Sequence, residues 1–540
     1  MIEVFTSRSG SPSIKVLGIS LHSPYDPARE AQRFAAGALG PEQPSTVVIL
    51  GEALEYASRW VRENHPGARV LRVFYSTEVF DLCRELFKAP AVPGATNDLW
   101  HPGLGVAIKD FFRLRIGELD LEGLRVLEWP PSAQAFPEVS RAANEALQQC
   151  VREANGSLVT TMSLGRLWLR NIVSNFLCLD ELLEGAPCSP ERPVVIAASG
   201  PSLESAAAVL EEVRTFVDLW ALPSCAPFLA HVGLKPDMFV MTDPGYYAMS
   251  HFHQAVPGCP VAMPLSAARG AWHLRWGAFL LGQPGQLEDV FLQALGLQAP
   301  KVPPHGTVAA TALDLARAFT RGPIIMAGLD MCNDDLISHA RPNMFERFYL
   351  LRNTRTAPYD SLWFRRSAEM NAGRIPGTRR ARAPLSLRTY AGWLGGNTGR
   401  PAYRLLPSEV SLTGLISLDP RTLKDLVSER PARPAGPLLK VSAGAFSTTS
   451  RAAFAKQTLT GWRTRLSSAV RAAKGAQGLD ALADPGVYPL VSQLSLRQLV
   501  EARRKRRLGD SAGAGRCAVE LLEDCVQFLS SLEERASNAF

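Results

Sequence analysis

Residues 194–204 read VVIAASGPSLE, a run of β-branched and small residues that stops at Gly-Pro-Ser and passes at once into the alanine-rich SAAAVLEEV. The pattern is that of a strand, a tight turn and a helix. In an open α/β sheet such a turn sits at the carboxyl end of a strand and the N-terminus of a helix, where ligands collect. Gly200 permits a close main-chain approach, Pro201 fixes a bend, and Ser202 carries a hydroxyl able to cap the helix or donate to an oxygen. The loop is neither GxGxxG nor Walker A, so it indicates neither a dinucleotide nor a triphosphate. Taken alone, it reads equally as a bare turn or as a ligand loop.

The flanking sequence extends the α/β pattern. Strands are expected at Val194–Ala198, Val217–Leu222, Met238–Met241 and Ile324–Ala327, with helices at Leu203–Arg214, near Phe228 and at Val308–Phe319. Upstream, Thr46–Leu50, Ala53–Glu63, Arg69–Tyr75 and Thr77–Phe87 repeat the order strand, helix, strand, helix, and Leu124–Glu128 supplies a further strand. Such order favours parallel sheets with helices on their faces. Two helical stretches lead to about Leu183, and EGAPCSPERP (184–193) reads as a linker. Beyond ERPARPAGP (429–437) the text turns helical and basic. Three domains are expected: 1–183, α/β with trailing helices; 193–425, a central α/β catalytic domain; and 435–540, helical.

Composition narrows the class. A chain of 540 residues is too long for one core. Its 46% hydrophobic and 20% charged residues exclude general disorder. The formal charge of +7 permits an acidic partner without requiring one. Nine scattered cysteines without a CxxC pair argue for a reducing compartment and against structural zinc. The N-terminus lacks the basic start and apolar core of a signal peptide, and no apolar run reaches a membrane span. A cytoplasmic protein is expected. The ARRKRR run (502–507) reads as a solvated helix face, and without interleaved aromatics nucleic-acid binding is not expected.

Two further stretches carry chemistry. In GLKPDMFVMTDPGYY (233–247) a strand ends in Thr242 and Asp243, followed by Tyr246 and Tyr247. Asp243 reads either as a turn cap or as a group facing a ligand on the first loop. In PHGTVAATALDLA (304–316) His305, Gly306 and Thr307 open a second helix whose N-terminal amides favour an anion. That helix leads to IIMAGLDM (324–331), where Asp330 again stands at a strand end, and His339 follows in a polar loop. His339 reads as a surface residue or as a proton-transfer group. His251 and His253 lack a third ligand for zinc, and Asp334–Asp335 reads as a solvated pair rather than a metal site. No GxSxG, HExxH or kinase motif set is present.

In combination, the chain resembles the motility-associated factor (Maf) glycosyltransferases that modify bacterial flagellin. The resemblance rests on VVIAASGPSLE, GLKPDMFVMTDPGYY, GTVAATALDLA with IIMAGLDM and SHA (338–340), and SLGRLWLRNIVSNF (163–176). It also takes in TYAGWLGG (389–396), SLTGLISLDPRTL (411–423), LHSPYDPAREAQRF (21–34) and VVILGEALEYA (47–57). It implies a Rossmann-like N-terminal domain, a central GT-A-like domain similar to sialyltransferases, and a helical C-terminal domain. The implied activity is transfer of a nonulosonic acid, pseudaminic or legionaminic, from its CMP-sugar to serine or threonine of flagellin, with no metal and no cofactor. Gly200, Pro201, Ser202, Ser224, Thr242, Tyr246, Tyr247, Gly306 and Thr307 are then expected to hold the donor. His339, Asp243 and Asp330, in that order, are the candidate bases. Relatives have more glycine where this chain reads LGEALEYA, which disfavours a second nucleotide site there. The alternatives are a pterin diphosphokinase-like enzyme using ATP and magnesium, which shares the Gly-Pro-Ser loop, or an inactive flagellin-binding assembly factor.

Overall fold

The computed structural model describes residues 2–40, 43–87, 98–254, 259–270, 277–283, 287–303, 305–369, 372–395, 399–428, 438–442, 448–475 and 478–538. The ERPARPAGP stretch and the last residue of TYAGWLGG lie outside them. The chain divides into two compact units, Met1–Gly165 with Trp462–Leu529, and Arg166–Gly461 with Ser530–Phe540.

In the first unit, strands Leu99–Trp100, Arg69–Phe74, Thr46–Glu52 and Leu124–Glu128 form a parallel sheet in that spatial order. Every residue of Thr46–Glu52 is buried, as a central strand requires when both faces are covered. Val48 and Leu50 pack with Phe111 and Phe112, while Val47 and Ile49 pack with Ala35, Val61 and Trp129. The alternation that sends neighbours to opposite faces therefore builds two apolar layers. Strands Ile2–Thr6, Pro12–Val16 and Ile19–Ser20 make a separate antiparallel sheet.

The helical C-terminal region contributes Tyr488–Leu494 and Leu496–Arg507 to this unit. Arg503, Arg504 and Arg506 of the ARRKRR run are exposed, yet Arg507 turns in to Glu122, with Nε 3.1 Å from Oε2. Gly165 is fixed by packing: a Cβ there would lie 1.9 Å from the carbonyl oxygen of Gln493.

The second unit is built on a ten-stranded sheet. By first residue its order is Leu415, Ala402, Ile324, Val194, Asp218, Met238, Val261, Ala278, Leu182 and Leu438. Neighbours run parallel except Leu438–Val441, which is antiparallel to Leu182–Ala186. From Val194–Ala197 the chain fills one side through Ala278–Leu281, then crosses back to place Ile324–Ala327 on the other side. The switch point thus lies between Val194–Ala197 and Ile324–Ala327, which pair in register from Val194↔Ile324 to Ala197↔Ala327.

Several expected elements take a different form. The two helical stretches before residue 183 are one helix, Pro137–Cys178. The end of the second, with the start of EGAPCSPERP, is the strand Leu182–Ala186, paired with Ala278–Leu281. Strands Val261–Pro264, Ala278–Leu281, Ala402–Leu405 and Leu415–Leu418 carry no sequence expectation.

Candidate functional site

At the switch point the loops after the two central strands are joined by backbone hydrogen bonds. Ala198 N–H donates to Ala327 O and Gly200 N–H to Gly328 O, both at 2.8 Å. A Cβ on Gly200 would stand 2.4 Å from Asp330 Oδ2 and 2.6 Å from Gly328 O. Gly328 holds φ of 67° and is equally tight against Ala198 O. The glycine of GPS is therefore explained by the neighbouring loop. The Ser202 N–H, at the first turn of the helix Ser202–Glu212, donates to Asp330 Oδ2 at 2.8 Å. Asp330 is buried beside Arg404, whose Nη2 donates to the Asp330 carbonyl at 3.3 Å. Desolvation raises the Asp330 pKa, against the Ser202 hydrogen bonds and the Arg404 charge. Met331, the next residue, holds a left-handed φ of 52°.

The same turn holds the loop that carries His339. Ala340 N–H donates to Ser199 O, and Arg341 N–H to the Glu204 carboxylate, each at 2.8 Å. Glu204 of GPSLE and Arg341, the residue after SHA, thus meet across 137 residues of chain. From the other side, helix Pro137–Cys178 presents two buried asparagines one turn apart. Asn171 Nδ2 donates to Pro244 O (3.0 Å) and Ser266 O (3.1 Å), and Asn175 Nδ2 to Leu265 O (2.8 Å) and Ala267 O (2.9 Å). The loops after Met238–Val240 and Val261–Pro264 are held in this way. Asp243 Oδ1 accepts from Gly245 N–H at 2.7 Å, and the Asp243 carbonyl accepts from Ala268 N–H.

These loops surround a cavity of about 280 Å³. Its lining brings together Gly200, Ser224, Asp243, Thr307, Asp330 and His339. Pro201, Ser202, Thr242, Tyr246, Tyr247 and Gly306 fall outside the lining. Tyr246 and Tyr247 are exposed, at 78% and 59%, and Gly306 lies under Tyr390, which does line the cavity. Thr307, Val308 and Ala309 present the first turn of helix Val308–Phe319 to the cavity, and Thr307 makes no side-chain cap that would occupy those amides. His305 pairs instead with Asp314 at 2.7 Å.

His339 Nδ1 lies 2.8 Å from Ser338 Oγ. Burial, then the neighbouring His251 and Arg366 charges, push its pKa down to about 3, and burial pushes His251 to about 4. Both imidazoles are therefore neutral near pH 7. Around Phe345, whose helix Met344–Arg352 starts in an Asn343–Glu346 capping box, three groups converge. The His339 and His251 ring centroids are 5.1 and 5.9 Å from that of Phe345, and the Arg366 guanidinium carbon lies 4.0 Å over the ring. His251, Arg366 and Tyr390 were not sequence candidates for this site. Arg366 is one of 58 Lys and Arg residues and sits in no motif.

Among the described residues no group of three or more His, Cys, Asp or Glu side chains is arranged to hold a metal ion. Asp334 and Asp335 pair with Arg380 and Arg382, each at 3.1 Å. No described helix is long and apolar enough to cross a membrane.

In comparison with solved structures, the chain superimposes on a Maf glycosyltransferase from Magnetospirillum magneticum AMB-1 with a TM-score of 0.57, over 99% of this chain and 92% of that one, at 13% identity. The chain has the fold of a Maf glycosyltransferase. Parallel α/β sheets followed by a helical C-terminal region are thus shared along the whole length. The family model described as 6-hydroxymethylpterin diphosphokinase MptE-like matches residues 167–335, which hold the cavity's central strands. Two uncharacterized proteins of Treponema pallidum (strain Nichols) are similar in part. One is 27% identical over 225 residues, 41% of this chain and 49% of that protein; the other is 25% identical over 126 residues, 23% and 59%. The matched segments thus span about half of each of these relatives.

Proposed function

We propose that the chain is a glycosyltransferase that moves a nonulosonic acid, of pseudaminic or legionaminic type, from its CMP-activated form to serine or threonine hydroxyls of flagellin in the cytoplasm. The observation that carries the reading is the convergence of the GPSLE, TDPG, GTV, GLD and SHA stretches on one cavity at the switch point, within a chain that shares its whole fold with a Maf glycosyltransferase. A cavity of about 280 Å³ lies just below the ~300–1,000 Å³ of small-ligand sites, so it encloses part of a nucleotide-sugar and leaves the rest open to an acceptor.

In this mechanism the CMP phosphate leaves toward the first-turn amides at Thr307–Ala309 and the Ser224 hydroxyl, without a metal. The acceptor oxygen attacks the anomeric carbon as the bond from that carbon to the phosphate oxygen breaks. The acceptor proton passes to the base, the neutral imidazole of His339 or the carboxylate of Asp243. Asp330 acts through position, holding the first turn of helix Ser202–Glu212 against the second loop. Mass spectrometry of flagellin from cells with and without the gene tests the reading. Identical glycan masses in the two would end it.

A second reading is supported by the family-model match over residues 167–335: a pterin diphosphokinase-like enzyme using ATP and magnesium. Calorimetric binding of CMP against ATP with magnesium separates the two, since the first reading expects CMP to bind and ATP not to.

A further inference from the structure

Arg366 sits on the helix Tyr359–Glu369 and lines the cavity. Among the described residues no carboxylate lies within ion-pair distance of it, and its Nε is buried without a hydrogen-bond partner. Stacking on Phe345 fixes the guanidinium plane without neutralising its charge. The other groups on this wall are His251 and His339, which add no negative charge. The two carboxylates of the lining are engaged elsewhere: Asp330 with the Ser202 N–H and Arg404, Asp243 with the Gly245 N–H. Arg366 is half-buried, so its guanidinium, held on the cavity wall without a protein counter-charge, is placed to meet an anion that a ligand brings.

We propose that Arg366 is the anion anchor of the cavity, its stacked guanidinium taking an oxyanion of the bound molecule with the N–H groups that Phe345 leaves open. The proposal rests on the donor-site reading and deepens it. A CMP-nonulosonic acid offers two oxyanions, the phosphate and the sugar carboxylate. An anchor on the carboxylate would make Arg366 the residue that selects acidic sugars over neutral ones. Planar two-point recognition is what guanidinium supplies and ammonium does not.

The test is calorimetric binding of CMP, CMP-N-acetylneuraminic acid, ATP and pyrophosphate to the full chain, as wild type, Arg366→Gln and Arg366→Lys, with thermal melting of each. Arg366→Gln is expected to weaken binding by about 10- to 100-fold, the scale of a charge-assisted hydrogen bond, and Arg366→Lys to recover part of it. Loss confined to the CMP-sugar places the anchor on the carboxylate; equal loss for CMP places it on the phosphate. Wild-type binding of ATP but of neither cytidine ligand ends the donor reading, while the Arg366 comparison is then read with ATP. Unchanged affinities in Arg366→Gln overturn the proposal. So does an equal loss in both variants accompanied by a lower melting temperature, and so does a wild type that binds none of the four anions.

Discussion

Gly200 and Gly328 meet backbone to backbone, N–H to carbonyl at 2.8 Å, so that the two loops at the switch point form one rigid floor. The GPS turn is shaped first by this contact and only then by any ligand. A methyl group on Gly200 has no free space, because backbone and carboxylate oxygens stand 2.6 and 2.4 Å from where it would go.

Gly200→Ala is therefore expected to cost about 1–3 kcal/mol as overpacking and to displace the Gly328–Asp330 loop. Thermal melting should fall and ligand affinity should fall with it. A variant that melts as wild type and binds CMP or ATP normally would show that the two loops can separate without consequence.

Asp330 belongs to the same floor. Asp330→Ala leaves the Ser202 N–H unpaired and the buried Arg404 without its carboxylate, which is expected to cost about 3–5 kcal/mol. Asp330→Asn keeps an acceptor for Ser202 and should lose less. If Asp330 were instead the base of the reaction, Asp330→Asn would abolish transfer while its denaturation curve stayed close to wild type. That pair of measurements separates position from proton transfer.

Acid sensitivity of the first unit should trace to His22. Its Nε2 accepts from Leu54 N–H at 3.2 Å among Tyr56 and Trp129, its Nδ1 lies 3.9 Å from Glu30, and burial pushes its pKa to about 3. The folded unit binds fewer protons than the unfolded chain wherever pH lies between about 3 and the ordinary 6.5. The contribution is complete above 6.5 and is lost as pH falls, at about 1.4 kcal/mol per pH unit. Hydrogen exchange of strand Thr46–Glu52 between pH 7 and 4.5 checks this. His22→Gln retains an acceptor for Leu54 and should flatten the dependence by about one proton; an unchanged slope would assign it to other groups.

The fold was legible where strand and helix each gave a long enough signal. Val308–Phe319 and Ile324–Ala327 fall where periodicity places them, and the switch point follows from the second strand's pairing with Val194–Ala197. Val261–Pro264, which no Gly-Pro-Ser or Gly-Leu-Asp turn punctuates, leaves no such trace, and neither does the strand hidden in the EGAPCSPERP stretch. Within the site, small-residue loops and strand-end carboxylates marked Gly200, Asp243, Thr307 and Asp330. They could not reveal that Asp330 turns back to Ser202, since a hydrogen bond across 128 residues has no local pattern. Arg366 and His251 were invisible for the converse reason: their importance comes only from sharing Phe345 with His339.

The SLGRLWLRNIVSNF helix makes its contribution through Asn171, whose amide bridges the carbonyls of Pro244 and Ser266 beside the cavity residue Asp243. Asn171→Ala leaves the buried Ser266 carbonyl and the part-buried Pro244 carbonyl without that donor, at about 1–3 kcal/mol for the buried one before relaxation. Melting should fall, and ligand affinity should weaken as the Asp243 loop loosens. Asn171→Asp is the sharper variant, because it sets a carboxylate against the same two carbonyl oxygens with no proton to offer either. It is nearly the same size as asparagine, so packing is unchanged and only the sign of the contact is reversed. Asn171→Asp should therefore be less stable than Asn171→Ala at pH 7, and should recover part of the difference as acid protonates the new side chain. Equal melting of the two variants across that range would mean that the helix holds the loop by shape alone.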